Sequence, residues 1–193
     1  MGKEIYTETA LKRLEQEVQI QIFSDGVHWE QSCMYHNEVL HCVLETIHML
    51  QAWGRKIPEK ITEAARRMAM VNVAWKKPDG CQPLTGDSDE TNVEDMLAVS
   101  AILLAKEGKK EAEVLKGCAG QYPDYESIWD LRREGAEIYE RILGRVPQQT
   151  NFMLEESGNY YVRNNWERNG EYLHFRNGCL GGGHGHNDKL HID

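Results

Sequence analysis

The sequence predicts a mainly α-helical chain that turns to β-structure near its end, an α+β class overall, with the helices in antiparallel pairs. Three observations lead there. Apolar residues recur at helical spacing through most of the stretch from residue 4 to residue 143. After Gly144 the period shortens to two, in segments rich in aromatic and β-branched residues. The Pro-, Gly- and Asp-rich punctuation falls between these segments. The expected division is 1–145 for the helical part and 146–193 for the start of a β domain.

Each element has its own reason. Residues 4–22 carry Leu11, Leu14, Val18 and Ile22 on one stripe among strong helix formers, and Asp25-Gly26 ends that run as a turn pair. Residues 33–53 form a second helix with Leu40, Val43, Leu44, Ile47 and Leu50 on one side, and Ser32 is its expected N-cap. Pro58 opens a third helix, at its favoured first-turn position, that runs to about Trp75. "KKPDGCQPLTGDSDETN" is a loop. Helices are then expected at 93–106, 109–116 and 125–143. "FMLEESGNYYVRNNW" and "NGEYLHFRNG" read as strands of a meander around Ser-Gly and Asn-Gly turns, and "KLHID" as the opening of a further strand.

Composition narrows the function. With 193 residues, 40% hydrophobic and 27% charged, the chain is an ordinary globular one with enough length for a substantial core. A net charge of −9 argues against non-specific binding to nucleic acid or to an anionic membrane. No apolar run is long enough to insert in a membrane, and the charged opening "MGKEIYTETALKRLEQEV" does not read as a signal peptide. Cys33, Cys42, Cys81, Cys118 and Cys179 lack paired spacing and read as free thiols.

Three clusters could carry chemistry. "DGVHWEQSCMYHNEV" gathers His28, Glu30, Tyr35 and His36 at a loop-to-helix junction, where Tyr35 either points into a cleft or packs with His36 against a neighbouring helix. "TGDSDETN" offers Asp87 and Asp89, as ligands for a cation or sugar hydroxyls, or as acidic residues favouring the start of the next helix. "GGGHGHND" places His184 and His186 two apart behind three glycines. On a strand both rings would share a face, giving half of a zinc site, with Asp188 or His191 as local candidates for further ligands.

Taken in order, these segments are far more specific than any one alone. The D-G-x-x-x-E-x-S-x-x-Y-H run at 25–36, the G-D-S-D at 86–89, the stretch from "SGNYYVRNNW" through "YLHFRNG", and G-H-G-H-x-D at 183–188 resemble the heparinase II/III-like polysaccharide lyases, a family with relatives that act on alginate. The resemblance covers nearly the whole chain. It implies part of an α/α toroid followed by the first strands of a β-sandwich, with an acidic polysaccharide bound in the cleft between them. It implies β-elimination at a uronic acid, with Tyr35 and His184 as the catalytic pair and Glu30, His36, Asp87 and Asp89 as substrate-binding candidates.

The same resemblance makes His186 a ligand of a structural zinc, whose other ligands would fall beyond Asp193. The family's carboxylate-neutralising Asn or His belongs to an N-H-x-x-E-like motif that this sequence does not contain. The expectation is therefore an internal fragment of a longer lyase, inactive by itself, from a family whose members are often periplasmic or secreted. Two other readings remain: a non-catalytic carbohydrate-binding remnant, and a hydrolase using Asp87 and Asp89 as acid and base. The hydrolase is disfavoured because two carboxylates in one short loop do not flank a bond from opposite sides.

Overall fold

The computed structural model describes residues 2–120 and 125–193. Residues 121–124, inside the stretch expected to be helical, lie outside the described residues. Among the described residues the order is six helices and then four strands: α1 (Gly2–Ile20), α2 (Cys33–Ala52), α3 (Glu59–Trp75), α4 (Glu94–Lys106), α5 (Ala112–Cys118), α6 (Tyr125–Arg141), β1 (Asn151–Leu154), β2 (Asn159–Arg163), β3 (Tyr172–Arg176) and β4 (His191–Ile192). Among the described residues no strand precedes Asn151, although isolated bridges join Ile22 to His28 and Cys81 to Asn92.

Helix α3 is the central one, packed on α1, α2, α4 and α5. Its small residues Ala64, Ala65, Ala69 and Ala74 let the neighbours come close, while Ile61 and Met68 fill the spaces between them. The stripe expected on α2 is buried as Leu40, Val43, Leu44, Ile47 and Leu50, and α4 meets it with Leu97, Ala98, Ala101 and Leu104. Full burial of each large aliphatic side chain contributes about 1.5–3 kcal/mol. Among the described residues no helix is long and apolar enough to cross a membrane.

The helix ends differ from the sequence reading in instructive ways. Helix α1 stops at Ile20 because residues 21–29 fold back on themselves: Trp29 N donates to Gln21 O at 2.8 Å and Phe23 N to Val27 O at 2.9 Å. Pro58 is the N-cap of α3, one position before the first turn. Helices α2 and α4 end in Schellman motifs, with Gly54 (φ 62°) and Gly108 (φ 70°) in the left-handed region, and Arg55 N and Lys109 N reach back to Leu50 O and Leu104 O. Gly108 and its turn delay α5, which starts three residues later than expected. Helix α6 is broken at Arg132 (φ 56°, ψ −161°), a kink the periodicity does not show.

The sheet is antiparallel in the order β1-β2-β3-β4. Its inner face, Asn159, Tyr161, Arg163, His174 and Arg176, is buried against the helices and is unusually polar. Its outer face is apolar and open: Met153, Tyr160, Phe175 and Ile192 are in register across all four strands, with Val162 beside Leu173 in the next row. Sheet and helices are joined at the C-terminus of α3. There Arg163 donates to Ala74 O (2.5 Å) and Lys76 O (3.0 Å), and the Tyr172 hydroxyl donates to Trp75 O (2.9 Å). A cation at that end meets carbonyls that have no partner within the helix. The Trp166 ring lies 4.0 Å from the same guanidinium.

Candidate functional site

Three segments meet where the helices face the sheet: the start of α2, the loop 85–89, and the glycine loop 178–188. Ser32 caps α2 as expected, although the hydrogen bond it accepts from Tyr35 N is long, 3.5 Å. The loop supplies more. Ser88 Oγ accepts from Met34 N (3.1 Å) and donates to Thr85 O (2.6 Å), while Ser32 Oγ donates to Asp87 O (2.9 Å). The acidic loop therefore caps the helix before it, in space, and not the one after it. Helix α4 has Val93 at its N-cap, with the Asn92 side chain accepting from Glu94 N (2.8 Å).

A polar chain holds the other end of the loop. Trp75 Nε1 donates to Asn72 Oδ1 (2.9 Å), Asn72 Nδ2 to Asn37 Oδ1 (2.7 Å), Asn37 Nδ2 to Gln82 Oε1 (2.9 Å) and Gln82 Nε2 to Asp89 O (2.9 Å).

His184 lies flat on Tyr35, with ring centroids 3.4 Å apart and planes 10° from parallel. Asp87 joins both loop histidines: its Oδ2 is 3.2 Å from His184 Nδ1 and its Oδ1 is 2.6 Å from His186 Nε2. The backbone repeats the contact, Asp87 N donating to His184 O at 2.9 Å. Hydrogen bonds from His184 and then His186 hold the Asp87 carboxyl below its ordinary range. An ionised Asp87 only accepts, so each neutral imidazole turns an N–H to it. That leaves Nε2 of His184 and Nδ1 of His186 as the free acceptors. Tyr35 is half-buried, and its hydroxyl has no hydrogen bond among the described residues. Beside it runs an apolar groove between α1 and α2, lined by Leu14, Val18, Val39 and Val43.

The other predicted residues are placed differently. His36 is fully buried: His28 N donates to its Nδ1 (3.2 Å), its Nε2 donates to Met68 O (3.1 Å), and burial pushes its pKa down to about 3. With both nitrogens used inside the fold, it offers nothing to a ligand in this structure. Glu30 is mostly buried with a carboxylate oxygen 3.9 Å from His28 Nδ1, and its backbone lies under Gly181 and Gly185. Those glycines are needed because a Cβ at either would strike Glu30 O, so they fit the loop to the protein itself. Asp89 is exposed and stays out of the His184–Asp87–His186 cluster.

The zinc expectation meets a donor set that does not converge. Asp188, the nearest candidate partner of His186, accepts from Arg176 Nη1 (3.0 Å) and Gly86 N (2.9 Å), and His191 sits in β4 against Arg176. Among the described residues the group of three with metal-ligating geometry is Asp79, Cys81 and Glu90, and Lys77 already neutralises its two carboxylates at 3.5 and 3.4 Å. Among the described residues, therefore, the local candidates Asp188 and His191 do not complete a zinc site with His186.

Sequence reasoning missed Arg176 and Asn72. The i, i+2 pair His174 and Arg176 on one strand was a usable sign, since both must face the same way.

Comparison with known proteins identifies relatives of the chain and of its fold. A heparin-sulfate lyase of Bacteroides thetaiotaomicron is 27% identical over 172 residues, 84% of this chain and 22% of that protein. The chain thus spans about a fifth of the length of that curated relative. The fold is shared with a heparinase III gene product (TM-score 0.77, 18% identity, 98% of this chain and 27% of that one) and with heparan sulfate lyase HepC from Pedobacter heparinus (TM-score 0.71, 17% identity, 98% and 27%). A family model described as heparinase II/III N-terminus matches residues 3–105, more than half of the sequence, and the chain belongs to that family.

Proposed function

We propose that this chain carries the tyrosine–histidine part of the active centre of a polysaccharide lyase that cleaves a uronic-acid polymer, of the heparin/heparan sulfate or alginate type, by β-elimination. The observation that carries the reading is the stack of Tyr35 on His184, with Asp87 behind the imidazole. His184 Nε2 takes the proton from C5 of the uronate. The Tyr35 hydroxyl gives its proton to the glycosidic oxygen at C4 as that C–O bond breaks, and the double bond forms between C4 and C5. Asp87 fixes the tautomer that leaves Nε2 free and favours the imidazolium formed in the step, as a carboxylate behind a catalytic imidazole does. The uronate carboxylate also needs stabilisation of its developing charge, a large part of the barrier.

The open apolar face of the sheet supports reading 146–193 as one layer of a β-sandwich, since rows of this kind are ordinarily covered by a second sheet. The likeness to much longer lyases supports reading the 193 residues as insufficient for turnover on their own.

The test is to express the chain as it stands and within the longest polypeptide that contains it. Each is incubated with heparan sulfate, heparin and alginate, and the absorbance of unsaturated uronate is followed at about 232 nm. The longer form should produce it and should lose it with His184→Ala. Reducing ends without that absorbance would mean hydrolysis, and binding without either would mean a carbohydrate-binding remnant.

A further inference from the structure

We infer that the ion pair of buried Arg176 with half-buried Asp188 is the positioning device of this site, locking the loops that carry Asp87 and His184 against each other and against the start of α2. The inference rests on the lyase reading for its kinetic consequence and on geometry alone for the lock itself.

Arg176 comes up from β3 and is 1% exposed. Its guanidinium touches the glycine loop and the residue before the N-cap of α2 directly, and it reaches the loop 85–89 through Asp188. Nη2 donates to Cys179 O (3.0 Å), at the root of the glycine loop. Nη1 donates to Asp188 Oδ2 (3.0 Å), at the far end of that loop, and lies 3.5 Å from Gln31 O, next to the N-cap of α2. The same Asp188 oxygen accepts from Gly86 N (2.9 Å), whose neighbour Asp87 holds both histidines. One guanidinium therefore pins both ends of the loop that bears His184 and His186, and one carboxylate oxygen carries that restraint across to Asp87.

The chemistry fits a lock better than a ligand site. A buried arginine with one carboxylate and two carbonyls has its charge compensated and its fork used, so it has no reason to take up substrate. Burying such a pair is a weak source of stability, whereas orientation of reacting groups is worth orders of magnitude in rate. The lock also explains why His184 lies parallel to Tyr35 although its loop is rich in glycine, which gives no rigidity of its own.

Two measurements test it. Amide hydrogen exchange on the 193-residue chain compares wild type with Asp188→Asn, which keeps an acceptor for Gly86 N and removes the charge, and with Arg176→Lys. Exchange should speed up by about tenfold or more in 179–188, in 85–88 and at the first-turn amides Cys33 and Met34 that the loop caps, and stay unchanged in the rest of α2, in α3 and in α4. In the longest polypeptide that shows lyase activity, Asp188→Asn should lower kcat on the order of tenfold or more with KM within about threefold, and Arg176→Lys should retain more turnover than Arg176→Met. Unchanged exchange in both loops, or loss of protection throughout the helices, overturns the lock. Faster loop exchange in a protein without lyase activity in any form leaves the lock standing and overturns the lyase reading.

Discussion

The rings of Tyr35 and His184 lie face to face, 3.4 Å between centroids, although one belongs to a helix and the other to the loop between β3 and β4. The contact decides how the tyrosine can be tested. Tyr35→Phe keeps the stacked ring and removes only the hydroxyl, so its effect isolates the proton donor. Turnover in an active form should fall on the order of 100-fold or more, as expected for loss of a positioned acid, with the melting temperature little changed. Near-normal turnover would take Tyr35 out of the mechanism.

Acid should weaken the fold before it disables the carboxylates. Burial pushes His36 and His174 down to about 3, against 6.5 for a free imidazole, and lowers His28 as well. Between those values the unfolded chain binds protons that the folded one refuses. Stability is then fully present above about pH 6.5 and is lost as pH falls toward about 3, each of the two contributing a slope of up to about 1.4 kcal/mol per pH unit. Urea denaturation midpoints at a series of pH values should therefore fall steadily below pH 6.5. A flat profile down to pH 4.5 would mean that these rings are accessible and charged.

Ser88 caps a helix that lies far from it in sequence. Ser88→Ala removes the acceptor for Met34 N and the donor to Thr85 O, and should cost about 0.5–2 kcal/mol by chemical denaturation. Because the same loop carries Asp87, turnover should fall as well. A fully neutral substitution would show that Ser32 alone satisfies the first turn of α2.

The donor set around His186 should hold zinc weakly. After dialysis against a chelator and then buffer containing zinc, the chain should retain well under one equivalent, because a structural site needs about four converging ligands. Stoichiometric retention that His186→Ala abolishes would require Asp188 or His191 to swing away from Arg176 and β3.

The helices were legible because burial imposes a period. The α2 stripe from Leu40 to Leu50 follows directly from it. What the sequence hid was long-range. Nothing local says that Asp87 turns toward His184, since an acidic residue before a helix has a nearer use at that helix's own N-terminus. Only in three dimensions does Asn92 take over at α4 and release the loop for α2. His36 misled for the opposite reason. Its place in the motif beside Tyr35 suggested a shared role, but adjacent helix positions point about 100° apart, so one ring reaches the site and the other the interior. Gly181, Gly182 and Gly185 are spent on the fold itself, since a Cβ at any of them would meet Glu30 or Trp29.

The row Met153–Tyr160–Phe175–Ile192 has a practical consequence for anyone handling these residues in isolation. Water covers an apolar strip that spans a whole sheet, and β1 and β4 leave unpaired backbone edges at either side of it. Such a surface recruits copies of itself, and the repulsion from a net charge of −9 opposes that only over the Debye length. Colloidal behaviour should therefore turn on salt: dilute, low-ionic-strength buffer keeps the chains apart, and added salt lets the strips find one another.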